Sequence, residues 1–299
     1  MTKQTDTRFR SGYITITGRP NVGKSTLLNA YLDMKLAIVT NKPQTTRHRI
    51  LGILQGEQYQ IIFQDTPGLI KPKYLLQEAM IKTAHLALQD ADVILMLTDP
   101  LQDLSLDEPV IAAIRSSKAP KLLAINKIDA MEKSALLPLI DHYSKLDCFD
   151  EIFPVSALKQ QGLDDLLDGM LTRLPEAEPF YPPDLITSEP ERFFVAELIR
   201  EQIFFRYNKE VPYSSTVQIE QFNERPGRKD YIEAVITMER ESQKGILIGK
   251  QGQSLKQLGE AARKEIESFL GRPVYLKLVV RVRDNWRRNP GQLKNFGYQ

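Results

Sequence analysis

Cysteine is almost missing from this sequence. Cys148 is the single one in 299 residues, which excludes a disulfide framework within the chain and fits a reducing cytoplasm. Long apolar runs are missing too: no uninterrupted stretch approaches the ~20 residues of a membrane span. Insertion into a bilayer is therefore not expected, and only peripheral contact stays open. The start, Met1 to Arg10, is polar and charged and lacks the apolar core of a signal peptide, so a cytoplasmic chain is expected. There is no internal repeat and no low-complexity tract. What is present is ordinary for a globular chain, 42% apolar and 26% charged residues, and the length favours two domains.

Net charge of one sign is also small, +2 overall, but unevenly spread. From 244 to 299 there are twelve Lys and Arg against four Asp and Glu; the remainder carries 28 against 34. A basic segment on an acidic chain points to a polyanionic partner, nucleic acid first and an anionic membrane surface second.

Strand-like and helix-like patterns alternate through the first 175 residues. Strands are expected at 13–17, 50–54, 59–64, 93–97 and 121–125. The last two are continuous apolar runs of the kind buried on both faces of a sheet. Helical patterns at about 24 onward, 74–90, 107–117, 132–145 and 163–173 fill the gaps. This alternation predicts an α/β domain with a mainly parallel sheet flanked by helices. Five prolines between Pro175 and Pro190, with four acidic residues, suit a stiff exposed linker. Beyond it the order changes to a helix (192–207), strands at 214–221 and 230–238, a short helix ending near Ile248, a glycine loop, a long helix to Phe269 and a strand at 274–282. That is an α+β pattern. The expected division is 1–178, a linker at 179–190, and 191–299.

Gly18, Arg19, Pro20, Asn21, Val22, Gly23, Lys24 and Ser25 match GxxxxGK[ST] between an expected strand and an expected helix, with Thr26 following. Loop N–H groups there point at phosphates. Lys24 supplies positive charge to the β- and γ-phosphates, and the Ser25 hydroxyl can ligate Mg²⁺. Asn126, Lys127, Ile128 and Asp129 match NKxD directly after an apolar strand. The Asp129 carboxylate can accept from both N1–H and the N2 amino group of guanine. Adenine would leave that carboxylate unpaired, and such polar mismatches discriminate strongly. Ser156, Ala157 and Leu158 match the loop that backs the guanine ring. Asp65, Thr66, Pro67 and Gly68 match DxxG, with Asp65 near Mg²⁺ and the Gly68 N–H sensing the γ-phosphate. Gln44-Thr45-Thr46-Arg47-His48 occupies the place of a first switch loop. Thr45 or Thr46 completes the Mg²⁺ shell, and sequence does not choose between them.

Four motifs in order over about residues 10 to 175 resemble the translation-factor-like class of P-loop GTPases. The resemblance implies GTP and GDP as ligands, Mg²⁺ as cofactor, and Lys24, Thr45 or Thr46, Gly68 and Asn21 as catalytic groups. One departure matters: Leu69 stands where many signalling GTPases carry the glutamine that orients the attacking water, so slow intrinsic hydrolysis is expected. Related GTPases with Asn at the position of Asn21 bind K⁺ beside the phosphates, so K⁺ is a candidate cofactor; Asn21 as a mere loop-shaping residue is the alternative.

Gly245, Ile246, Leu247, Ile248, Gly249, Lys250, Gln251 and Gly252 contain a GxxG between two helices. With the surrounding element order this resembles a type II KH domain, whose GxxG clamps about four single-stranded nucleotides. Lys250 adds charge, and Ile246, Leu247 and Ile248 are expected to floor the base groove. Arg281, Arg283, Trp286, Arg287 and Arg288 place one indole among arginines, suited to phosphate contact and stacking; a packed Trp in a solvated basic tail is the other reading.

Together with Gln-Thr-Thr-Arg in the switch, the proline-rich linker and the terminal Asn-Trp-Arg-Arg, nearly the whole chain is similar to the Era family of bacterial GTPases. The resemblance implies a switch in 30S subunit assembly that holds the single-stranded 3′ end of small-subunit ribosomal RNA. It also implies peripheral association with the cytoplasmic face of the inner membrane. A GTPase of large-subunit or tRNA maturation, or a membrane or division regulator, are the alternatives.

Overall fold

The computed structural model describes residues 8–100 and 109–298. Two compact units emerge. The first contains residues up to Ala37, Thr46–Lys71 and Met80–Ser188; the second contains Ile38–Thr45, Pro72–Ala79 and Glu189 onward.

In the first unit the apolar runs become strands β1 (Arg10–Gly18), β2 (Ile50–Gln55), β3 (Tyr59–Asp65), β4 (Val93–Thr98), β5 (Lys121–Ile125) and β6 (Glu151–Pro154). Their order is β2-β3-β1-β4-β5-β6. Only β2 runs antiparallel, against β3; the remaining pairs are parallel. The expected strands are all present. β6 is the addition: it is short, and Phe153 is its one buried side chain.

Helices α1 (Lys24–Leu32), α2 (Leu75–Gln89), α3 (Pro109–Arg115), α4 (Leu136–Ser144) and α5 (Leu163–Leu171) fill the gaps between strands. Part of the helix expected over 107–117 lies outside the described residues. One buried cluster joins Ala84 and Leu88 of α2, Ile94 and Met96 of β4, Ile111 and Ile114 of α3, Leu123 and Ile125 of β5, and Tyr143 of α4. Elsewhere Tyr31 ties α1 to α5: its hydroxyl donates to the Leu163 carbonyl at 2.9 Å and its ring stacks on Phe63. The proline-rich segment is pinned rather than loose. The Gln60 carboxamide accepts from the N–H groups of Phe180 and Tyr181 and donates to the Tyr181 carbonyl. Ile53 N–H donates to Ile186 O at 2.7 Å.

Because β1 lies between β3 and β4, the connections leaving its two sides diverge at its carboxyl end. A crevice at such a switch point is where open α/β sheets bind ligands.

The second unit builds a three-stranded sheet in the order β7-β8-β9 from β7 (Thr216–Asn223), β8 (Asp230–Met238) and β9 (Val274–Val282). β7 is antiparallel to β8, which is parallel to β9. Helices α6 (Glu191–Arg206), α7 (Glu241–Ile248) and α8 (Gln253–Leu270) complete the core with Val195, Ile199, Leu247, Leu258, Ala262 and Ile266 facing Ile232 and Ile236. A short terminal helix, α9 (Pro290–Asn295), was not expected; the Asn289 side chain caps it by accepting from Gln292 N–H at 3.1 Å. Among the described residues no helix is long and apolar enough to cross a membrane.

Candidate functional site

Loop 18–23 turns out of β1 into α1 through left-handed residues, Asn21 at φ 65° and Gly23 at φ 99°. Gly23 is required by space as well as by dihedral: a Cβ there would lie 2.2 Å from Asn126 Nδ2. Asn126, 2% exposed, staples two loops, donating to Val22 O at 2.8 Å and accepting from Ala157 N–H at 2.9 Å. Lys127 reaches the same loop, donating to Asn21 O at 2.6 Å and pairing with buried Asp99 at 2.8 Å. The first two NKxD residues thus shape the loop, leaving the base to the fourth. Asp129 is exposed, with Oδ1 accepting from Ser156 Oγ at 2.5 Å. Ala157 is buried in the backing loop while Leu158 is 72% exposed.

Lys24 is buried at 6% exposure and donates to the Gly18 and Arg19 carbonyls at 3.3 and 2.9 Å. Burial lowers its pKa to about 8, opposed by Asp65. Asp65 sits at the end of β3, fully buried; burial raises its carboxyl to about 6, opposed by Lys24, Ser25 and Thr46. Ser25 Oγ donates to Asp65 Oδ2 at 2.7 Å and lies 3.0 Å from Thr46 Oγ1. The other carboxylate oxygen, Oδ1, is buried with no hydrogen-bond partner. Two hydroxyls, one carboxylate and an orphaned buried oxygen are the hard oxygen donors that Mg²⁺ prefers, so the residues fit the ion.

The structure separates the two threonines. Thr46 faces Ser25 and Asp65, whereas Thr45 Oγ1 turns toward Lys42 O at 2.7 Å and Thr40 Oγ1 at 2.6 Å. Thr45 as a Mg²⁺ ligand is corrected on that ground. In the DxxG segment Thr66 Oγ1 donates to Ile16 O at 2.8 Å, and a Cβ on Gly68 would meet Pro20 N at 2.8 Å. DxxG therefore lies directly on the P-loop. Leu69 is buried in the core cluster of α2 and β4, and its side chain has no polar atom with which to orient a water.

In the second unit, Gly249, Lys250, Gln251 and Gly252 form the turn between α7 and α8, with three left-handed residues. Lys250 is exposed, as is Ile246 at 53%. Gly245 lies within α7, and Ile248, the last residue of that helix, is half-buried. Leu247 is fully buried in the core, so the expected groove floor is corrected to Ile246 and Ile248. Trp286 corrects a second expectation. It is 0% exposed, donates from Nε1 to Ser214 O at 2.9 Å and packs on Phe296 and Tyr298; it is a core residue and offers no stacking face. Among its neighbours Arg287 is held by Glu239 and stands over the Tyr74 ring, and Arg281 pairs with Glu220, while Arg283 and Arg288 are exposed. Its aromatic partners Phe296 and Tyr298 stand ten and twelve residues downstream, beyond the arginine-rich stretch on which the stacking expectation rested.

A glycine loop from β1 into α1, a buried hydroxyl–carboxylate cluster whose donors fit Mg²⁺, and the Asn126–Asp129 loop beside a mainly parallel sheet have the arrangement of a P-loop GTPase, and the second unit has a KH fold. The comparisons agree. Residues 13–127 match the family described as a 50S ribosome-binding GTPase, and residues 210–287 match the KH domain. The GTPase Era of Lactobacillus helveticus is 45% identical over 290 residues, 97% of this chain and 96% of its own. Two crystal structures match at 41% identity with a TM-score of 0.91, covering 97% of this chain and 99% of theirs. One is a variant of Aquifex aeolicus Era bound to GDP.AlF4-; the other is Era in complex with MgGDPNP and nucleotides 1506-1542 of 16S ribosomal RNA. The chain belongs to the Era family of GTPases.

Proposed function

We propose that this GTPase is a switch whose KH unit holds the 3′ end of small-subunit ribosomal RNA during 30S assembly, its hold on RNA set by the bound nucleotide. The observation that carries the reading is the pairing, in one chain, of the Asp65–Ser25–Thr46 cluster with a GxxG turn. The relative that shares this pairing over nearly its whole length is bound to MgGDPNP and to RNA at once.

In the mechanism, loop N–H groups and Lys24 bind the phosphates, Lys24 moving from the Gly18 and Arg19 carbonyls to them. Ser25 and Thr46 ligate Mg²⁺, with Asp65 behind, and the ion neutralises charge developing on the phosphate oxygens. Asp129 reads guanine against the Ser156–Leu158 loop. Gly68 N–H senses the γ-phosphate. Leu69 is buried and orients no water, so the chain's own turnover is slow. Asn21, at the exposed rim of the P-loop, would help hold K⁺ if that ion binds, and the ion would supply the charge neutralisation of an arginine finger; equal turnover in K⁺ and Na⁺ buffers would remove that part.

The test is a paired one. Calorimetry with Mg²⁺ is expected to detect GDP and GTP analogues but no ADP. Thr46→Ala abolishes Mg²⁺-dependent preference for the triphosphate analogue, and Thr45→Ala retains it. RNA carrying the small-subunit 3′ end binds more tightly with the triphosphate analogue than with GDP. Equal affinity for ATP and GTP, or indifference to the 3′ end, overturns the reading.

A further inference from the structure

The KH unit carries a second feature, far from its GxxG turn, that the proposed role leaves unused. The turn between β7 and β8 and the residues entering β9 line a cavity of about 530 Å³. Arg225, Arg228 and Lys229 contribute their side chains from the turn, and Arg272 and Pro273 from the segment before β9. Its base is built. Asp230, 4% exposed, accepts from Arg225 N–H at 2.9 Å and from Arg272 Nε at 2.6 Å. Those bonds hold its carboxyl below the usual range, the Arg272 bond contributing most. Arg272 is fixed from its other side by Glu191 at 2.6 Å. Two carboxylates thus neutralise Arg272 and set the turn in place, while Arg225, Arg228 and Lys229 remain exposed. Glu224 is the one acidic residue on the turn's own rim.

An aromatic stack adjoins the cations. Arg225 stands 5.1 Å over the Tyr231 ring, and Tyr231 stacks on Tyr275 at 5.7 Å and 11°. The stack is held at its middle by the Tyr231 hydroxyl, which donates to Glu233 at 2.7 Å, itself paired with Lys277. Its outer member, Tyr275, is 56% exposed. A cation, a ring and a second ring ending in solvent form a column that a planar base extends, and Arg228 and Lys229 beside it are exposed cations that a phosphate backbone can meet.

We infer that the β7–β8 turn and the Tyr231–Tyr275 stack form a second RNA-binding surface, which takes the backbone and an unpaired base of the same RNA whose end the GxxG turn holds. This rests on the RNA-binding reading of the second unit. The two surfaces sit at opposite ends of α8, whose 18 residues span about 27 Å. A GxxG clamp covers about four nucleotides, and the RNA in the related complex, nucleotides 1506-1542, is far longer. The rest of such an RNA needs a track, and the exposed aromatic at the end of the column favours a base over a lipid headgroup.

The experiment uses the full chain with a GTP analogue and two RNAs: a short single strand of the 3′-terminal nucleotides, and the 1506-1542 segment. The variants are R228A with K229A together, Tyr275→Ala, and Lys250→Glu as the GxxG control. All change exposed side chains, and thermal melts check folding. The double variant is expected to weaken the long RNA about tenfold and to flatten its salt dependence by roughly 1.4 units of log–log slope, about 0.7 for each cation removed. Tyr275→Ala weakens it by at least fivefold, the low end of a lost base stack. Neither touches the short RNA. Lys250→Glu weakens both, and its failure to do so counts against the GxxG reading alone. The second surface is overturned if the double variant and Tyr275→Ala bind the long RNA like the parent, or if the double variant loses only binding to anionic vesicles.

Discussion

Asp65 and Lys24 are both buried and each favours the other's charge, yet burial pushes each toward its neutral form. Burial raises Asp65 to about 6 and lowers Lys24 to about 8. In the nucleotide-free protein the folded chain keeps the Asp65 proton up to about pH 6, whereas an unfolded chain releases it near 3.9. The fold therefore binds more protons between those values, and its stability falls as pH rises from about 4 to 6. Lys24 has the opposite sign: the fold gives up that proton near 8 while the unfolded chain keeps it to ~10.4, so stability rises with pH across that window. At neutral pH both charges are buried and each opposes folding by roughly 1 to 3 kcal/mol, an opposition that phosphate and Mg²⁺ remove. Asp65→Asn should raise the melting temperature of the nucleotide-free protein at pH 7.5 and flatten its slope between pH 4 and 6. The same variant should melt no higher when Mg²⁺ and GDP are added. Melting curves across pH, with and without ligand, check both; a variant melting below the parent without ligand contradicts the account.

Among the elements, the α7–α8 turn shows how unequal two motif glycines are. Gly249 adopts φ 71° with ψ −179°, a region almost closed to other residues, and a Cβ there would meet Ser254 Cβ at 2.6 Å. Gly252 sits at φ 76° and ψ 7° with open space where a Cβ would go. Gly249→Ala is expected to distort the turn and abolish binding of short single-stranded RNA. Gly252→Ala should cost about 1 kcal/mol of stability and keep most of the affinity. Filter or anisotropy titrations with a short RNA rank the two; equal losses would show that the turn's shape is not what binds.

The same scale explains what sequence made legible. The strand at 93–97 was readable because every position is apolar and buried, and that at 230–238 because its second half is a run of buried and mostly apolar residues; P-loop, DxxG and NKxD were readable because their spacing is tied to chemistry. β6 was not, since four residues with one buried side chain carry no period. Trp286 was misplaced because arginines flank it, and local composition cannot see the Ser214 carbonyl 72 residues away that accepts its N–H. Thr45 and Thr46 are chemically alike in sequence; only their opposite side-chain directions on the folded chain distinguish them.

At the scale of the whole molecule, the chain passes between the units next to both segments expected to sense nucleotide. Thr46 and Gly68 belong to the first unit, but 38–45 and 72–79 group with the second. Within that second unit Lys42 Nζ donates to Phe204 O and Tyr207 O, both at 2.5 Å, and to Asn208 Oδ1 at 3.0 Å, capping the end of α6. Arg200 of the same helix, 1% exposed and paired with Glu197, donates to Thr45 O. The peptide bond from Thr45 to Thr46 thus runs from a carbonyl that Arg200 holds to a hydroxyl beside Ser25, the one proposed to ligate Mg²⁺. Ordering Thr46 around the ion biases how 38–45 is held, and by linkage any preference of RNA for the triphosphate form must return as an equal preference of the triphosphate for the RNA-bound form. A coupling of about tenfold, on the order of 1.4 kcal/mol, is expected. The measurement is a closed cycle of four affinities, RNA with GDP and with a GTP analogue, and each nucleotide with and without RNA. Lys42→Met should pull the coupling factor toward one while leaving RNA affinity in the GDP form unchanged, because it loosens the hold of α6 on the segment without touching the GxxG turn. A cycle that closes with the parent's factor in that variant would place the coupling elsewhere in the chain.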